Sequence, residues 1–327
     1  MRILFTSTHD AAFIKEDLLL LQKFHDVRPL LTLGVSSLVS IFAGVLRADL
    51  TFTWFASVYS APIVFLARCL GRHSIVVVGG VDAAKVPEFR YGIWISTWKS
   101  VLVRYAVRHA DRVIVLSPFL SEQLTMLADY SGRNITVAPT GFDDVFWVPG
   151  GGPKERMVLT VAACEESSRM EIKGIPLLIE AARSLPDVRF ILIGPRGRAT
   201  ELIQELKPPT NLTILPFLPR VELLSHYQKS RVYCQPSYFE GLGGSICEAM
   251  LCECVPVGTR VGGIPTVIGN EGFLVDYGNA SQLAESISRA MDSPPEMGRN
   301  ARSRIATMFS LAKREKALVD LVAGVIG

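Results

Sequence analysis

Pro236-Ser237-Tyr238-Phe239-Glu240-Gly241-Leu242-Gly243-Gly244-Ser245-Ile246-Cys247-Glu248-Ala249-Met250 is the stretch on which the reading of this chain turns. An apolar run, Val232 to Cys234, precedes it and reads as a strand; a helical pattern follows the two glycines. The glycines let the backbone approach an anion closely. The free N–H groups at the start of the next helix point at that anion, with roughly half a positive charge behind them. Glu248 falls about one turn inside the helix, where it can accept both hydroxyls of a ribose diol. Glu240, before the turn, can accept hydroxyls of a second sugar. Gly243, Gly244, Ser245 and Glu248 are therefore candidates for holding a polyhydroxylated, phosphate-bearing ligand such as a sugar nucleotide. Alone, Glu248 would also fit a first-turn acid that merely complements the helix dipole; the glycine pair and Glu240 argue for the site.

Outward from this stretch the chain alternates strands and helices. In the first half, strands are expected at Arg2–Ser7, Asp26–Leu31, Leu50–Phe55, Ser74–Val78, Arg112–Leu116 and Asn134–Ala138. Helices fall between them at Lys15–Phe24, Leu38–Arg47, Ala61–Leu70, Ile93–His109 and Pro118–Tyr130. Apolar runs without alternation indicate strands covered on both faces, hence parallel sheet, and the βαβα order implies a doubly wound α/β domain. Pro149-Gly150-Gly151-Gly152-Pro153 is the clearest linker. A second series then begins with strands at Met157–Ala162, Arg189–Ile193, Leu212–Leu215 and Val232–Cys234, and helices at Gly174–Ser184, Arg198–Leu206 and Val221–Lys229. Ser310–Val325 is helical in pattern. The chain thus reads as two Rossmann-like doubly wound domains, 1–146 and 147–309, followed by a terminal helix, 310–327. Ligands of such sheets bind outside the carboxyl ends of the strands, so the expected site is a cleft across which the two domains face.

Composition narrows the function classes. The 327 residues are 49% hydrophobic and 20% charged, which describes a globular chain long enough for two domains. Net charge is only +3, and no dense Lys/Arg stripe with interleaved aromatics is present, so nucleic acid is not the expected partner. The six cysteines lack paired zinc spacing and read as buried residues of a reducing compartment. No secretory leader is read: Arg2 runs directly into a short strand, and a cytoplasmic location is expected. The sequons at Asn134, Asn211 and Asn279 are then not expected to be glycosylated. Pro29–Leu46 and Leu50–Ala67 each run about 18 residues without charge, near the length of a membrane span. Interruption by Gly, Ser, Thr and Pro favours buried α/β elements.

The pattern Glu240, seven residues, Glu248, then Ala249-Met250 and Cys252 resembles the donor signature of retaining GT-B glycosyltransferases, specifically glycosyltransferase family four, the glycosyl transferases group one. Val137-Ala138-Pro139-Thr140-Gly141-Phe142-Asp143 is similar to that family's interdomain junction. Lys173-Gly174 with Leu177-Leu178-Ile179-Glu180-Ala181-Ala182, then Val255-Pro256-Val257, Val261-Gly262-Gly263-Ile264-Pro265, and Gly272-Phe273-Leu274-Val275 with Gly278-Asn279 resemble further family segments in the same order. The match is good over about 137–310 and loose before it. It implies transfer of a hexose from a nucleotide diphosphate sugar, with retention, to a glycan or lipid-linked acceptor. It also implies a terminal helix that returns to the N-terminal domain, and a place in glycan biosynthesis.

By the same resemblance, Lys173 sits beside the donor diphosphate. The arginine of a "GRL" segment found in many relatives is replaced by Ala162-Ala163-Cys164, leaving Arg169 as the nearest second cation. After the strand Ile75–Val78, relatives often carry a His with a nearby Asp; here Gly79-Gly80-Val81-Asp82 follows, and Asp82 is the candidate for orienting the acceptor or the hexose, or else a simple helix cap. The catalytic candidates are then Glu240, Lys173 and Asp82; the nucleotide-binding candidates are Glu248, Gly243, Gly244, Ser245 and Arg169. His9 is a weak candidate. No Asp-x-Asp motif is evident, so metal-independent transfer and no cofactor are expected. Tyr91–Arg112 combines Trp94, Trp98, Lys99, Arg104, Arg108 and Arg112 with apolar residues. Peripheral membrane contact through it stays open beside an ordinary domain helix. The rival readings are a nucleotide-sugar epimerase and a non-catalytic sugar-nucleotide-binding module on the same fold. The base, the hexose and the acceptor are not legible in the sequence.

Overall fold

In a computed structural model, which describes residues 1–34 and 36–326, the chain divides into two units: Met1–Gly141 with Leu311–Gly327, and Phe142–Ser310. Val35, within the uncharged stretch Pro29–Leu46, and Gly327, at the end of the expected terminal segment, lie outside the described residues. The division falls close to the expected positions 146/147 and 309/310, but not at the glycine-rich stretch. Residues 142–148 already belong to the second unit. There Trp147 is buried, its ring meets Tyr227 edge-on at 5.4 Å, and the Arg220 guanidinium lies over Phe146 and Trp147. Pro149–Pro153 follows that anchored segment and is a surface connection inside the unit.

The N-terminal unit contains β1 (Arg2–Ser7), α1 (Ala12–Gln22), β2 (Asp26–Leu31), α2 (Ser37–Arg47), β3 (Leu50–Trp54), α3 (Ser60–Cys69), β4 (His73–Val78), α4 (Thr97–His109), β5 (Arg112–Val115), α5 (Pro118–Ala128) and β6 (Ile135–Val137). Its six strands are parallel in the order β2-β1-β3-β4-β5-β6. β3 and β4 sit centrally and are buried almost throughout, as unalternating runs demand. Only the β1-to-β2 crossover moves toward that edge. With right-handed connections, α1 therefore lies on the opposite face from α2–α5. The expected helix Ile93–His109 is broken: a 3₁₀ turn at Ile93–Ile95 precedes α4, with Ser96 extended between them. Of the two uncharged stretches, β3 is buried, and α3 buries Ser60, Ala61, Ile63, Val64 and Ala67 while exposing Phe65. β2 and α2 instead leave Leu31, Val39, Phe42 and Leu46 exposed, because β2 is the sheet edge. Among the described residues, no helix is long and apolar enough to cross a membrane.

The C-terminal unit contains β7 (Glu155–Cys164), α6 (Ser167–Ile172), α7 (Ile175–Ser184), β8 (Arg189–Pro195), α8 (Arg198–Glu205), β9 (Leu212–Leu215), α9 (Arg220–Lys229), β10 (Ser230–Gln235), α10 (Gly244–Leu251), β11 (Val255–Thr259), α11 (Ile264–Ile268), β12 (Phe273–Val275), α12 (Ala280–Asp292) and α13 (Pro295–Met308). α6 was not expected from the sequence. The sheet order is β12-β11-β10-β7-β8-β9, again parallel. Val158, Phe190, Leu192, Val232 and Val257 from its strands pack with Ile175, Leu178 and Ile179 of α7 and Leu283 and Ile287 of α12 in one apolar core.

The last helix, α14 (Leu311–Ile326), packs on α1 within the N-terminal unit. Arg314 fixes it there. Its Nε and Nη2 donate to the two oxygens of Asp17 at 2.9 and 2.6 Å, and Nη1 donates to the Ala138 carbonyl at 2.7 Å. Both side chains of this pair are almost wholly buried. The sequon asparagines all have structural partners. Asn134 donates to the carbonyls of Val107 and Ala110, and Asn211 to those of Ala182, Leu185 and Val188. Asn279 caps α12 by accepting from the Gln282 N–H at 2.9 Å.

Candidate functional site

In the C-terminal unit the strand order reverses between β7 and β10: β8 and β9 lie to one side of β7, β10 to β12 to the other. Ligands of open parallel sheets bind outside the carboxyl ends of the strands at such a reversal. The loop after β7 leads through α6 to Lys173-Gly174, and the loop after β10 leads to Glu240. The two corners touch. The Tyr238 N–H donates to the Ile172 carbonyl at 2.8 Å. Gly174 has φ +67°, and a Cβ there would overlap the Pro236 carbonyl, so glycine is required twice over.

This backbone contact sets the Lys173 ammonium 2.7 Å from Glu240 Oε2, with the two side chains 22% and 15% exposed. Gln235 Nε2 donates to the same oxygen at 3.1 Å and to Ser237 Oγ at 2.9 Å. Tyr233 O–H in turn donates to Gln235 Oε1 at 2.9 Å. The orientation of the Gln235 amide is thereby fixed at both ends, oxygen toward tyrosine and nitrogen toward glutamate. The Glu240 carbonyl accepts from the Gly263 N–H at 2.9 Å, which holds the loop itself in place.

Gly243, at φ +99°, precedes α10, whose first turn holds Gly244 and Ser245 and whose next carries Glu248. Tyr227 O–H donates to Glu248 Oε2 at 3.1 Å. Burial, and then the neighbouring Glu248, push the Tyr227 phenol well above its ordinary range, so it stays a donor. The Ser245 hydroxyl stands beside the phenols of Tyr227 and Tyr233, and its single proton can be donated to one of them at a time. Buried Gln235 and Tyr233 thus lead to Glu240 and buried Tyr227 to Glu248, with half-buried Ser245 between the two phenols. Each link that reaches a carboxylate arrives as a donor.

The structure therefore gathers Lys173, Glu240, Gly243, Gly244, Ser245 and Glu248 in one unit. Arg169, on α6, is exposed; it and Lys173 both act on the Cys164 thiol, which burial nevertheless raises to about 11. Asp82 belongs to the other unit. It is 1% exposed, and its carboxylate accepts from the N–H groups of Ala56 (3.0 Å), Gly79 (3.0 Å) and Gly80 (2.7 Å). Burial pushes it up to about 6 against the pull of those amides. His9 is exposed, with Nδ1 2.9 Å from Thr8 Oγ1. Sequence reasoning missed Tyr227, Tyr233 and Gln235. For Tyr233 and Gln235 the available signal was polar side chains in β10, a strand with an otherwise buried apolar pattern; Tyr227, on α9, gave none.

Residues 152–306 match the family model described as glycosyl transferases group 1. The D-inositol 3-phosphate glycosyltransferase of Mycolicibacterium smegmatis is 27% identical over 318 residues, covering 87% of this chain and 71% of that protein. The MMP alpha-(1->4)-mannosyltransferase of Mycolicibacterium hassiacum is 28% identical over 240 residues, covering 67% and 57%. Among solved structures, sucrose-phosphate synthase from Thermosynechococcus elongatus matches with a TM-score of 0.80 at 16% identity, covering 100% of this chain and 99% of that one. Anabaena Alr3699/HepE in complex with UDP-glucose matches with a TM-score of 0.79 at 17% identity, covering 99% and 100%. The family match spans the segment that holds Lys173, Glu240 and Glu248, and both solved structures share the fold over essentially their whole length: the C-terminal unit is similar to the group 1 glycosyl transferases, and the chain is a glycosyltransferase of GT-B fold.

Proposed function

We propose that the chain transfers a hexose from a nucleotide diphosphate sugar, with retention of anomeric configuration and without a metal ion, to a glycan or lipid-linked acceptor. The observation that carries this reading is the Lys173–Glu240 pair set beside the start of α10, with Glu248 one turn further in. Glu248 takes the ribose diol and Glu240 the hexose hydroxyls. An ammonium has three donors, so Lys173 can keep Glu240 and still reach the diphosphate. As the C1–O bond to diphosphate breaks, Lys173 and the free N–H groups of α10 stabilise the departing charge. The acceptor hydroxyl adds to C1 on the same face and passes its proton to the departing phosphate oxygen. Arg169 is the second cation in this reading. Asp82 acts indirectly, by bracing the loop that carries Gly79 and Gly80.

In the segment Tyr91–Arg112, Trp94 is buried and donates to the Asp82 carbonyl, while Arg104 and Arg108 donate to carbonyls of Leu127 and Ala128. Membrane contact in this reading falls to exposed Trp98 and Val101, with Lys99 beside them.

Thermal shift against UDP, GDP, ADP and their sugars should pick out one nucleotide, because a ligand of the folded state stabilises by mass action. The product anomer, read by proton NMR, should match the donor. Turnover should survive excess chelator. An inverted anomer excludes the retaining mechanism. Loss of turnover on chelation, restored by magnesium or manganese, excludes metal independence.

A further inference from the structure

The N-terminal unit has its own strand reversal, between β1 and β3, with β2 to one side and β4 to β6 to the other. His9 and Phe13 follow the first of those two strands and Phe55 the second, with Trp54 as the last residue of β3. Phe55, directly after β3, sits at φ +69°. A bulky non-glycine residue in that region is a genuine outlier, and such strain persists only where the surroundings over-determine it. They do so here. The Phe55 N–H donates to the Val77 carbonyl at 2.9 Å. Asp82 joins the Ala56 N–H to those of Gly79 and Gly80. A Cβ on Gly79 would collide with the Phe55 ring, so glycine there makes room for it. Beneath the ring, Trp54 is wholly buried, its centroid 5.5 Å from that of Phe55, and its Nε1 donates to Asp17 Oδ2 at 2.9 Å. Asp17 is the carboxylate that Arg314 grips.

Phe55 meets His9 edge-on at 5.4 Å and Phe13 edge-on at 6.4 Å, and Phe13 lies 5.2 Å from Trp54. His9 and Phe13 are exposed and stand nearly perpendicular to half-buried Phe55, so the rings form a stepped shelf that solvent reaches. A strained, over-braced aromatic shelf at a strand reversal is a ligand platform rather than core. We propose that Phe55, with Phe13 and His9, binds a saturated sugar or cyclitol ring through its C–H face. An aromatic face is electron-rich and complements the slightly positive C–H bonds of such a ring. An acyclic polyol has no comparable flat face. The inference deepens the proposed transfer reaction, and rests on it, by giving the acceptor a ring.

Saturation-transfer NMR on the full chain tests this with methyl pyranosides and myo-inositol against glycerol and sorbitol, and with uridine as an aromatic rival. The expected result is transfer to the ring C–H protons of pyranosides or inositol and none to the acyclic polyols. Phe55→Asn should weaken ring binding about two- to tenfold, because asparagine tolerates the same φ but lacks the aromatic face. Its unfolding midpoint should be no lower than the parent's, which separates lost binding from lost fold. The proposal is overturned by equal transfer to acyclic polyols, by no transfer to any ring compound, by uridine displacing the rings, or by undiminished binding in Phe55→Asn. Nucleotide affinity of the parent is read separately. Its absence would sink the transfer reading, whereas the ring-binding result stands or falls on its own signal.

Discussion

Between β1 and β3 the N-terminal unit places Phe13, Trp54 and Phe55; between β7 and β10 the C-terminal unit places Lys173, Gln235 and Glu240. The frames around these two reversals are alike down to single residues. Asn134, ahead of β6, ties down carbonyls at the end of α4, and its own carbonyl accepts the Val113 N–H at 2.9 Å. Asn211, ahead of β9, does the same at the end of α7, and its carbonyl accepts the Phe190 N–H at 2.8 Å. Equal frames thus carry opposite chemistry, donors and carboxylates in one and aromatic faces in the other. The sheet decides where a ligand can sit, and the few residues after two strands decide which ligand.

The largest effect that would separate the units is in stability. Arg314→Met should cost the N-terminal unit about 3–5 kcal/mol, because it leaves Asp17 buried without its cation. Asp17→Leu combined with Arg314→Met should recover part of that loss, since two matched apolar residues replace a broken pair. Nucleotide affinity, a property of the other unit, should not move. Denaturant unfolding followed through Trp54 and α14 proteolysis checks the first part, calorimetry the second. A nucleotide affinity that falls together with stability would show that the two reversals do not operate separately.

Next in size are the glutamates. A hydrogen bond to a charged group contributes about 1.5–3 kcal/mol, so Glu248→Ala should weaken nucleotide binding by about one to two orders of magnitude. Glu240→Gln should lower turnover more than nucleotide affinity. Tyr227→Phe should reproduce a fraction of the Glu248→Ala loss, since it removes one donor and leaves the carboxylate. Steady-state kinetics with calorimetry distinguishes these cases. Unaltered nucleotide binding in Glu248→Ala would remove the ribose assignment.

The C-terminal reversal was largely legible in the sequence because its chemistry is written in residue types. Two carboxylates, a lysine and paired glycines stand at fixed spacing in one continuous stretch and one nearby corner. Its inner support was not legible. Tyr227, Tyr233 and Gln235 become a relay only when α9, β10 and α10 are folded together, and a tyrosine in an apolar strand reads as core. The aromatic shelf was invisible for a different reason. Phe55 looks like the last residue of a buried strand, and only its backbone angle sets it apart. Strand and helix positions followed from apolar runs. The linker did not, because the flexible-looking Pro149–Pro153 lies beyond a segment that Trp147 and Arg220 have already anchored.

The smallest expected effect bears on what Asp82 does for the shelf. Burial lifts its carboxyl from the ordinary value to about 6 in the folded chain. Between those values the folded state binds a proton that the unfolded state has released, so stability falls as pH rises through this window. The contribution is fully present below about pH 4 and lost above about pH 6, and a window roughly two pH units wide limits it to under about 3 kcal/mol. Above the window the carboxylate is charged and is held by three backbone amides. Asp82→Asn cannot titrate, and it turns an N–H group toward at least one of those N–H donors, which costs about 1–3 kcal/mol. The parent should therefore be more stable than Asp82→Asn throughout, with a gap wider at pH 4.5 than at pH 7.5. Taking the difference between the two proteins at each pH cancels the other titrating groups. Urea midpoints at several values between those limits measure it. A gap that widens as pH rises would mean that the amides outweigh desolvation and that the carboxyl lies below its ordinary value. A flat gap would mean that Asp82 stays charged across the window. In either case the brace on Ala56, Gly79 and Gly80 would be stronger than its burial implies.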